Sequence, residues 1–323
     1  MSAPEEPDVR EQPGAQVDAP PLARSTLDRA AEHRTDDEWL AAAWGRGQVV
    51  VVDLSKGGRT LADDGRLVLL PAAEAPEAER WFLGVDLDGT PLWAVDAPLP
   101  EIDGAEGVTL RDIGHLLDAR DAGVFTTAVA LANWHASHKF SPRTGLPTTS
   151  VEAGWARKDT EGNLMWPRTD PAMIVLVHDG VAGPEGRCLL GHNSAWGRAA
   201  DGGTRFSCLA GYVEPGESAE ACVAREVGEE VGLTLTSLRY SGSQSWPFPG
   251  SLMLGFHATA DPAQPMRLDP AEIDEAHWFT RDDIAKMIVG DYHHPGTGVP
   301  MGLPMPASIA FYLIERWLGG LAG

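Results

Sequence analysis

The sequence predicts an α+β protein with a smaller, mostly β N-terminal domain and a larger C-terminal domain built of strands and helices. The chain has 323 residues, which is comfortable for two domains. Short β-like runs separated by Gly, Asp and Pro turns fill residues 48–97. From "AMIVLVHD" at residue 172 onward, apolar strands instead surround one strong helix, residues 218–231.

Four segments follow one another along the chain. Residues 1–23 are predicted to be a disordered tail, because Pro, Glu, Asp and Gln dominate and few large apolar residues occur. Residues 24–112 are the mostly β domain, which shows no catalytic constellation, so packing and dimerisation are its simplest roles. Residues 113–165 are predicted to be a helical connector followed by a turn-rich segment, and residues 166–323 form the C-terminal domain.

Charge and cysteine content limit the classes of function. The net charge is −22 and no Lys/Arg-rich run offsets it, which disfavours nucleic-acid backbones and anionic membranes as partners. Three cysteines without a CxxC pair suggest neither a disulfide framework nor a redox motif, so we expect a cytoplasmic protein. The N-terminus has no apolar signal region, and no apolar run is long enough for a membrane span.

The stretch "GYVEPGESAEACVAREVGEEVGL", residues 211–233, concentrates carboxylates on one predicted helix. Ser218 is a good N-cap, and Glu226, Glu229 and Glu230 fall at i, i+3 and i+4 on one face. Such like charges destabilise a bare helix, but they are favourable if they converge on Mg²⁺ or Mn²⁺. Arg225 is placed to hold Glu217 by a bidentate ion pair. A solvated acidic helix face is the alternative interpretation of the three glutamates alone.

The complete spacing of this stretch decides between those interpretations. Gly-x5-Glu-x7-Arg-Glu-Val-x-Glu-Glu-x-Gly-Leu resembles the Nudix box at every defining position. The Nudix family implies an α/β/α sandwich with a mixed sheet, and metal-dependent hydrolysis of a nucleoside diphosphate linked to another group. By this resemblance, Glu226 and Glu230 are the principal metal ligands, and Glu229 is either a further ligand or orients the attacking water.

A second motif indicates the substrate. "SQSWPFPGS", residues 243–251, resembles "SQPWPFPxS" of the NADH pyrophosphatases within the Nudix family at eight of nine positions. Pro247 and Pro249 stiffen the segment, and Gln244, Trp246, Phe248 and Ser251 are the candidate dinucleotide-binding residues. The alternative is an aromatic turn that fills a core.

Further segments resemble the same branch of the family. "WPRTDPAMI" resembles the family segment that leads into the Nudix domain, and "EIDEAHWF" resembles a family segment downstream of the Nudix box. The second resemblance implies that Glu275 is a remote metal ligand. The resemblance also implies that Tyr212 and Trp166 sandwich a nucleobase, where stacking contributes about 1–3 kcal/mol per base. It further implies a homodimer.

Many members of this branch carry a four-cysteine zinc ribbon, and this chain departs from that pattern. Ser141 and Thr144 stand at the first pair of positions, and Lys158 and Glu161 stand at the second. Structural zinc needs thiolates or imidazoles, so we expect a metal-free ribbon packed through Trp155 and Phe140.

The expected function is metal-dependent hydrolysis of the pyrophosphate of NAD(H) to AMP and nicotinamide mononucleotide. Removal of the NAD cap from RNA 5′ ends, a broader activity on ADP-ribose or dinucleotides, and a non-catalytic nucleotide sensor remain alternatives. The intact set of box carboxylates argues against the sensor.

Overall fold

The structure is a computed structural model that describes residues 18–197 and 202–320. Most of the predicted tail, residues 1–17, lies outside the described residues. Residues 18–23 are packed against the protein, so the predicted boundary of the tail at residue 23 is wrong. Pro21–Ala23 form a 3₁₀ turn with Leu22 buried, and the hydroxyl of Tyr312 donates to the Asp18 carbonyl at 3.1 Å.

The N-terminal domain is mostly β, as predicted, because its Val-rich and aromatic runs suit buried strands. Its helix α1 spans Asp37–Gly45, and its strands are β1 (Gln48–Val52), β2 (Arg59–Asp63), β3 (Arg66–Leu67), β4 (Leu70–Pro71), β5 (Arg80–Val85), β6 (Pro91–Asp96) and β7 (Glu106–Thr109). They form one sheet in the order β4-β1-β6-β5 and a second in the order β3-β2-β7.

Two helices follow this domain, α2 (Leu110–Ile113) and α3 (Ala119–Ser137). Asp118 caps α3 by accepting a hydrogen bond from the Asp121 N–H at 2.9 Å. The α3 side chains Phe125 and Val129 share one buried cluster with the sheet residues Val50 and Leu83. Helix α3 therefore packs as part of the N-terminal core rather than standing apart as a connector.

The ribbon region forms a small antiparallel sheet of β8 (Thr148–Val151), β9 (Ala156–Asp159) and β10 (Leu164–Met165). Asp159 organises it: its carboxylate accepts hydrogen bonds from the Thr144 hydroxyl at 2.8 Å, the Glu161 N–H at 3.0 Å and the Asn163 N–H at 2.8 Å. Burial alone raises the pKa of Asp159, but these bonds lower it to about 2.

The two aromatic residues expected to pack the ribbon behave differently. The indole of Trp155 donates to the Phe82 carbonyl at 2.6 Å and lies under the Arg34 guanidinium, 3.8 Å from the ring centroid. Phe140 is 62% exposed, so the expectation that it packs the ribbon is wrong. Hydrogen bonds around Asp159 hold the turns that an aromatic contact was expected to hold.

The C-terminal domain is a six-stranded mixed sheet between helices, as predicted. Its strands run β15-β16-β11-β12-β17, with β14 paired to β11, and the β11–β16 pair is parallel. They are β11 (Asp170–His178), β12 (Arg187–Asn193), β14 (Leu209–Tyr212), β15 (Leu235–Trp246), β16 (Ser251–Ala260) and β17 (Ile273–Thr280). The short strands β13 (Thr204–Arg205) and β18 (Met301–Gly302) pair with each other.

Helices cover both faces of this sheet. The helix α4 (Ala219–Glu230) packs its Val223 and Val227 on one face, and α5 (Arg281–Ile288) and α6 (Ile309–Leu318) cover the other. The cysteines Cys188, Cys208 and Cys222 are buried and free. No helix within the described ranges combines the length and apolar character that a bilayer crossing requires.

Candidate active site

Helix α4 supplies the carboxylates of the candidate site. The Ser218 hydroxyl caps it by accepting from the Ala221 N–H at 3.1 Å, and it ends before Gly232, whose φ is +74°. Its apolar side packs on the sheet, which carries Glu226 and Glu230 into the junction between helix and strand. They are only 8% and 3% exposed, so a solvated helix face does not describe them.

A glycine opposite the helix makes room for one of these carboxylates. Gly211 lies on β14, paired with Met173 of β11. A Cβ at Gly211 would lie 1.9 Å from Glu226 Oε1 and 2.0 Å from its Cδ. Glycine is therefore required here for the close approach of the carboxylate to the strand, rather than for a tight turn.

Arg225 connects the loop before the helix to the helix itself. Its guanidinium donates to both oxygens of Glu217, at 2.8 and 2.9 Å, which confirms the bidentate pair predicted from the spacing. It also donates to Glu226 Oε1 and to Glu229 Oε2, each at 2.9 Å. These bonds lower the pKa of Glu217 to about 2, first through Arg225 and then through the Glu214 N–H.

Three carboxylates converge, but they are not the set that the sequence predicts. Oxygens of Glu226, Glu230 and Glu272 lie within 4.8 Å of one another. The Glu229 side chain is 58% exposed and turns toward Arg225 instead of this group. Glu272, which immediately precedes β17, was missed by the sequence interpretation.

Glu275 lies outside this cluster, in a second group of potential metal ligands with His277 and His294, and its role as a remote metal ligand stays a prediction. Its Oε1 lies 2.6 Å from His277 Nε2 and 3.8 Å from His294 Nε2. Side chains alternate along a strand, and Glu275 shares its face of β17 with His277 and Phe279. Phe279 packs in the core beneath α6, on the face of the sheet opposite α4.

The electrostatics of the cluster fit a bound divalent cation. Burial raises the pKa of Glu230 to about 8, and the neighbouring Glu226, Glu272 and Glu229 add to that rise. Burial also raises the pKa of Glu226. Among the described residues, Glu230 Oε2 is a buried oxygen without a hydrogen-bond partner. A hard cation would satisfy this oxygen and relieve the repulsion, and carboxylate oxygens are the ligands that Mg²⁺ and Mn²⁺ prefer.

Family models and curated relatives both match this chain. Residues 169–295 match the family model described as NUDIX domain, and residues 38–134 match the NADH pyrophosphatase-like rudimentary NUDIX domain. The "NAD-capped RNA hydrolase NudC" of Mycobacterium tuberculosis (strain ATCC 25618 / H37Rv) is 42% identical over 308 residues, which cover 92% of this chain and 94% of that protein. The chain belongs to the Nudix hydrolase family.

The second matching model identifies it as a Nudix protein of the NADH pyrophosphatase type. The mitochondrial "NAD(P)H pyrophosphatase NUDT13" of Homo sapiens is 37% identical over 262 residues, covering 78% of this chain and 71% of that protein. A solved NUDIX domain of Shewanella oneidensis NrtR, complexed with ADP ribose, covers 48% of this chain and 89% of its own at 14% identity, with a TM-score of 0.35. The assignment rests on the family models and the curated relatives.

The residues of the second motif, 243–251, have two structural roles: one holds the segment in place, and another lines a cleft. The side-chain amide of Gln244 accepts from the Leu22 N–H and donates to the Ala307 carbonyl, each at 3.0 Å. Because Gln244 is 1% exposed and both ends of its amide are bonded, it positions the segment instead of contacting a ligand. This differs from its predicted role.

Two aromatic residues of the motif pack edge to face. The ring centroids of Trp246 and Phe248 are 5.0 Å apart, and the Arg111 guanidinium lies 4.1 Å from the Phe248 centroid. Trp246 also lines a cleft of about 370 Å³ with Arg111, Arg205 and Ala210, the last of which precedes Gly211 on β14. The cleft therefore lies beside the strand that contacts Glu226.

Tyr212 and Trp166 present accessible rings. They are 58% and 56% exposed, and neither ring contacts the other within the described part of the chain. The Tyr212 hydroxyl is 3.2 Å from the Ser251 hydroxyl, which ties the end of the motif to the residue after Gly211. Ser251 thus orients Tyr212, while the predicted sandwich of a base between Tyr212 and Trp166 stays a prediction.

Proposed function

We propose that this Nudix protein hydrolyses the pyrophosphate of NAD(H) to AMP and nicotinamide mononucleotide, using Mg²⁺ or Mn²⁺. The observation that carries the proposal is the buried cluster of Glu226, Glu230 and Glu272, with its unpartnered Glu230 oxygen. The relatives named NAD-capped RNA hydrolase and NAD(P)H pyrophosphatase support this substrate class.

The protein residues have separable roles in this reaction. Glu226, Glu230 and Glu272 would hold the cation, which when bound supplies an activated water and neutralises pyrophosphate charge. Arg225 holds the carboxylate of Glu226 beside the strand and forms a bidentate ion pair with Glu217. The metal ligand Glu226 is therefore oriented before substrate binds. Glu229 is exposed beside them and is available to accept a proton from water.

The neighbouring residues account for binding of the dinucleotide. The exposed ring of Tyr212 offers a stacking surface, held by Ser251. Trp246 forms one wall of the cleft, and Arg111 and Arg205 supply positive charge there. Because two arginines and no carboxylate line this cleft among the described residues, it suits the phosphates of a dinucleotide.

Removal of the NAD cap from RNA is the second candidate function. It is favoured by the relative named NAD-capped RNA hydrolase, which matches over almost the whole chain, and by the arginines of the cleft. The net charge of −22 opposes extended contacts with an RNA backbone, so we infer that any such activity is confined to single-stranded 5′ ends. We also infer a homodimer and a cytoplasmic location, from the family resemblance and the cysteine usage.

A substrate panel tests the proposal. NADH, NAD⁺, NADPH, ADP-ribose, diadenosine polyphosphate and NAD-capped RNA are compared with Mg²⁺ and with Mn²⁺, and the products are identified by mass. We expect AMP and reduced nicotinamide mononucleotide from NADH. Failure to hydrolyse any dinucleotide with either metal would leave the non-catalytic sensor as the better interpretation.

A matched pair of variants tests the site itself. Glu230→Gln should abolish metal-dependent hydrolysis, because it removes a charged ligand from the cluster. Glu220→Gln, on the exposed first turn of the same helix, should retain the activity of the unmodified protein. If the two variants are equally active, the cluster is not the catalytic site.

A further inference from the structure

A second concave surface lies between the two domains, away from the carboxylate cluster. It encloses about 590 Å³ and is bounded by residues 22–29, helix α3, residues 167–170 and residues 243–250. None of the three clustered carboxylates lines it. Its volume falls within the range of pockets that hold small molecules in proteins.

Positive charge is concentrated in this interdomain cavity, although the chain as a whole is strongly acidic. Arg24, Arg29 and Arg168 line it, and Asp170 is the one carboxylate among the described residues that line it. Guanidinium groups gathered in a cleft with few opposing charges create a local attraction for anions. The balance of these four groups leaves two positive charges for a ligand to neutralise.

Arg29 is the central group, because among the described residues its guanidinium faces the Trp155 ring, 5.4 Å from the centroid, and no paired carboxylate. It donates one hydrogen bond, to the Thr127 hydroxyl at 3.0 Å, and no carboxylate forms an ion pair with it in the part of the chain that the structure describes. Burial lowers the pKa of its guanidinium, yet the side chain keeps accessible surface. A guanidinium has five N–H donors, so most of those of Arg29 are available to a ligand.

Arg24 and Arg168 differ in how firmly they are held. Arg24 donates to the Pro21 carbonyl at 2.8 Å and to the Gly114 carbonyl at 3.1 Å, which fixes its guanidinium without neutralising its charge. Arg168 is exposed on the segment that leads into β11, and no described residue hydrogen-bonds its side chain. One arginine of the cavity is therefore pre-oriented, and another is free to close on a ligand.

We propose that the interdomain cavity binds a phosphate monoester of mononucleotide size, with the phosphate group held by Arg29 and Arg168 and oriented by Arg24. A phosphate monoester carries nearly two negative charges at neutral pH, which matches the uncompensated charge, whereas a single carboxylate does not. The volume of the cavity leaves room for a nucleoside beside the phosphate.

A ligand in the interdomain cavity would contact both domains. Ser243, Ser245 and Pro247 line the cavity, and Trp246 of the same segment lines the cleft beside β14. The ligand would also contact α3 of the N-terminal domain. Binding would therefore cross-link the two domains and raise the melting temperature of the whole chain.

Calorimetric titration of the full chain with AMP, in EDTA, tests the proposal without metal and without turnover. Inorganic phosphate should compete with AMP, and adenosine, which lacks the phosphate, should bind much more weakly. A failure of the hydrolysis assay would leave this measurement intact, so the two proposals fail separately. Equal binding of adenosine and AMP would overturn the phosphate assignment.

Substitutions locate the binding. Arg29→Gln and Arg168→Gln should each weaken AMP binding at least about tenfold, as expected for loss of a charged hydrogen bond. Arg168→Gln removes no hydrogen bond between described residues, so it remains informative even if Arg29→Gln fails to fold. Arg46→Gln, at an exposed arginine outside the cavity, should bind AMP normally. Tyr212→Ala, at the candidate active site, is titrated in parallel to report AMP bound at that site. Loss of binding in Tyr212→Ala with normal binding in Arg168→Gln would place AMP at the active site and refute the proposal.

Discussion

Replacement of Gly211 by alanine should separate the candidate site from the stability of the fold. The added Cβ would lie 1.9 Å from Glu226 Oε1, while real Cβ contacts essentially never fall below 3.0 Å, so the carboxylate must retreat by about 1 Å. The backbone of Gly211 is not in the left-handed region, so alanine itself is not strained there. Displacements of about 1 Å at a catalytic group reduce rates by about 10²-fold, which is the loss we expect in kcat/KM.

The stability of this variant should change much less than its activity. The obstructing atoms are the movable end of a glutamate side chain rather than backbone, so the cost should stay at the low end of the about 1–3 kcal/mol typical of overpacking. Gly228→Ala is the matched control, because a Cβ there meets no atom within 4 Å and the substitution favours the same helix. NADH hydrolysis and thermal unfolding are measured for both. A folded Gly211→Ala protein with unchanged kcat/KM would refute the assigned role of Glu226.

Three further predictions follow from contacts of the site and the ribbon. Burial raises the pKa of Glu230 to about 8, so folding without metal favours its protonated form, and the stability of the metal-free protein falls as pH rises from the ordinary glutamate range toward 8. Because Mg²⁺ binds the deprotonated carboxylate, the gain in Tm on adding Mg²⁺ should be larger near pH 8 than near pH 6. An equal gain in Tm at both pH values would contradict this. Arg225→Lys keeps the charge but loses the fork that holds Glu217, so kcat/KM should fall at least about tenfold in a steady-state assay, and unchanged kinetics would show that the clamp is dispensable. Asp159→Ala should lower Tm more than Glu161→Ala, because the Asp159 carboxylate holds the turns by hydrogen bonds and the Glu161 side chain is exposed. Scanning calorimetry of both variants measures the two Tm values, and the reverse order would contradict the role of Asp159.

The part of the site that the sequence predicts is the part fixed by local spacing. The N-cap Ser218, the ion pair of Arg225 with Glu217 and the shared helix face of Glu226 and Glu230 all follow from positions within one loop and one helix. A helical repeat and a bidentate pair need no knowledge of the rest of the fold, so these features are readable from a single stretch of chain.

The third carboxylate of the cluster could not be read in that way. Choosing between Glu272 and Glu275 requires knowing which face of β17 meets α4, and a change of one residue reverses the face. The register of β17 also shifts where it pairs with β12, at a bulge beside His192 and Asn193. Ala276 and Trp278 pack toward α4, so Glu275, adjacent to Ala276, must point away.

The residues that hold the ribbon together also could not be predicted from local sequence. The loss of cysteine at Ser141, Thr144, Lys158 and Glu161 is visible in the sequence, but what holds the turns is not. The carboxylate that collects the hydrogen bonds is Asp159, one residue from an aligned ligand position, and its partners converge only once β9 and the 141–146 turn are assembled.

The core-filling interpretation of "SQSWPFPGS" fits Trp246 and Phe248 in part, because both pack against the N-terminal core cluster, and the substrate-selecting role of the motif stays a prediction. Alternation along β15 turns Gln244 inward, where its amide joins Leu22 of the N-terminal segment to Ala307 before α6. Trp246, two residues on, reaches the cleft that contains Arg205. A substitution at Gln244 would thus alter substrate binding without any contact with substrate, because it would release the strand that places Trp246. Loss of activity at Gln244 should accordingly come with loss of stability, whereas loss of activity at Trp246 should appear mainly in KM.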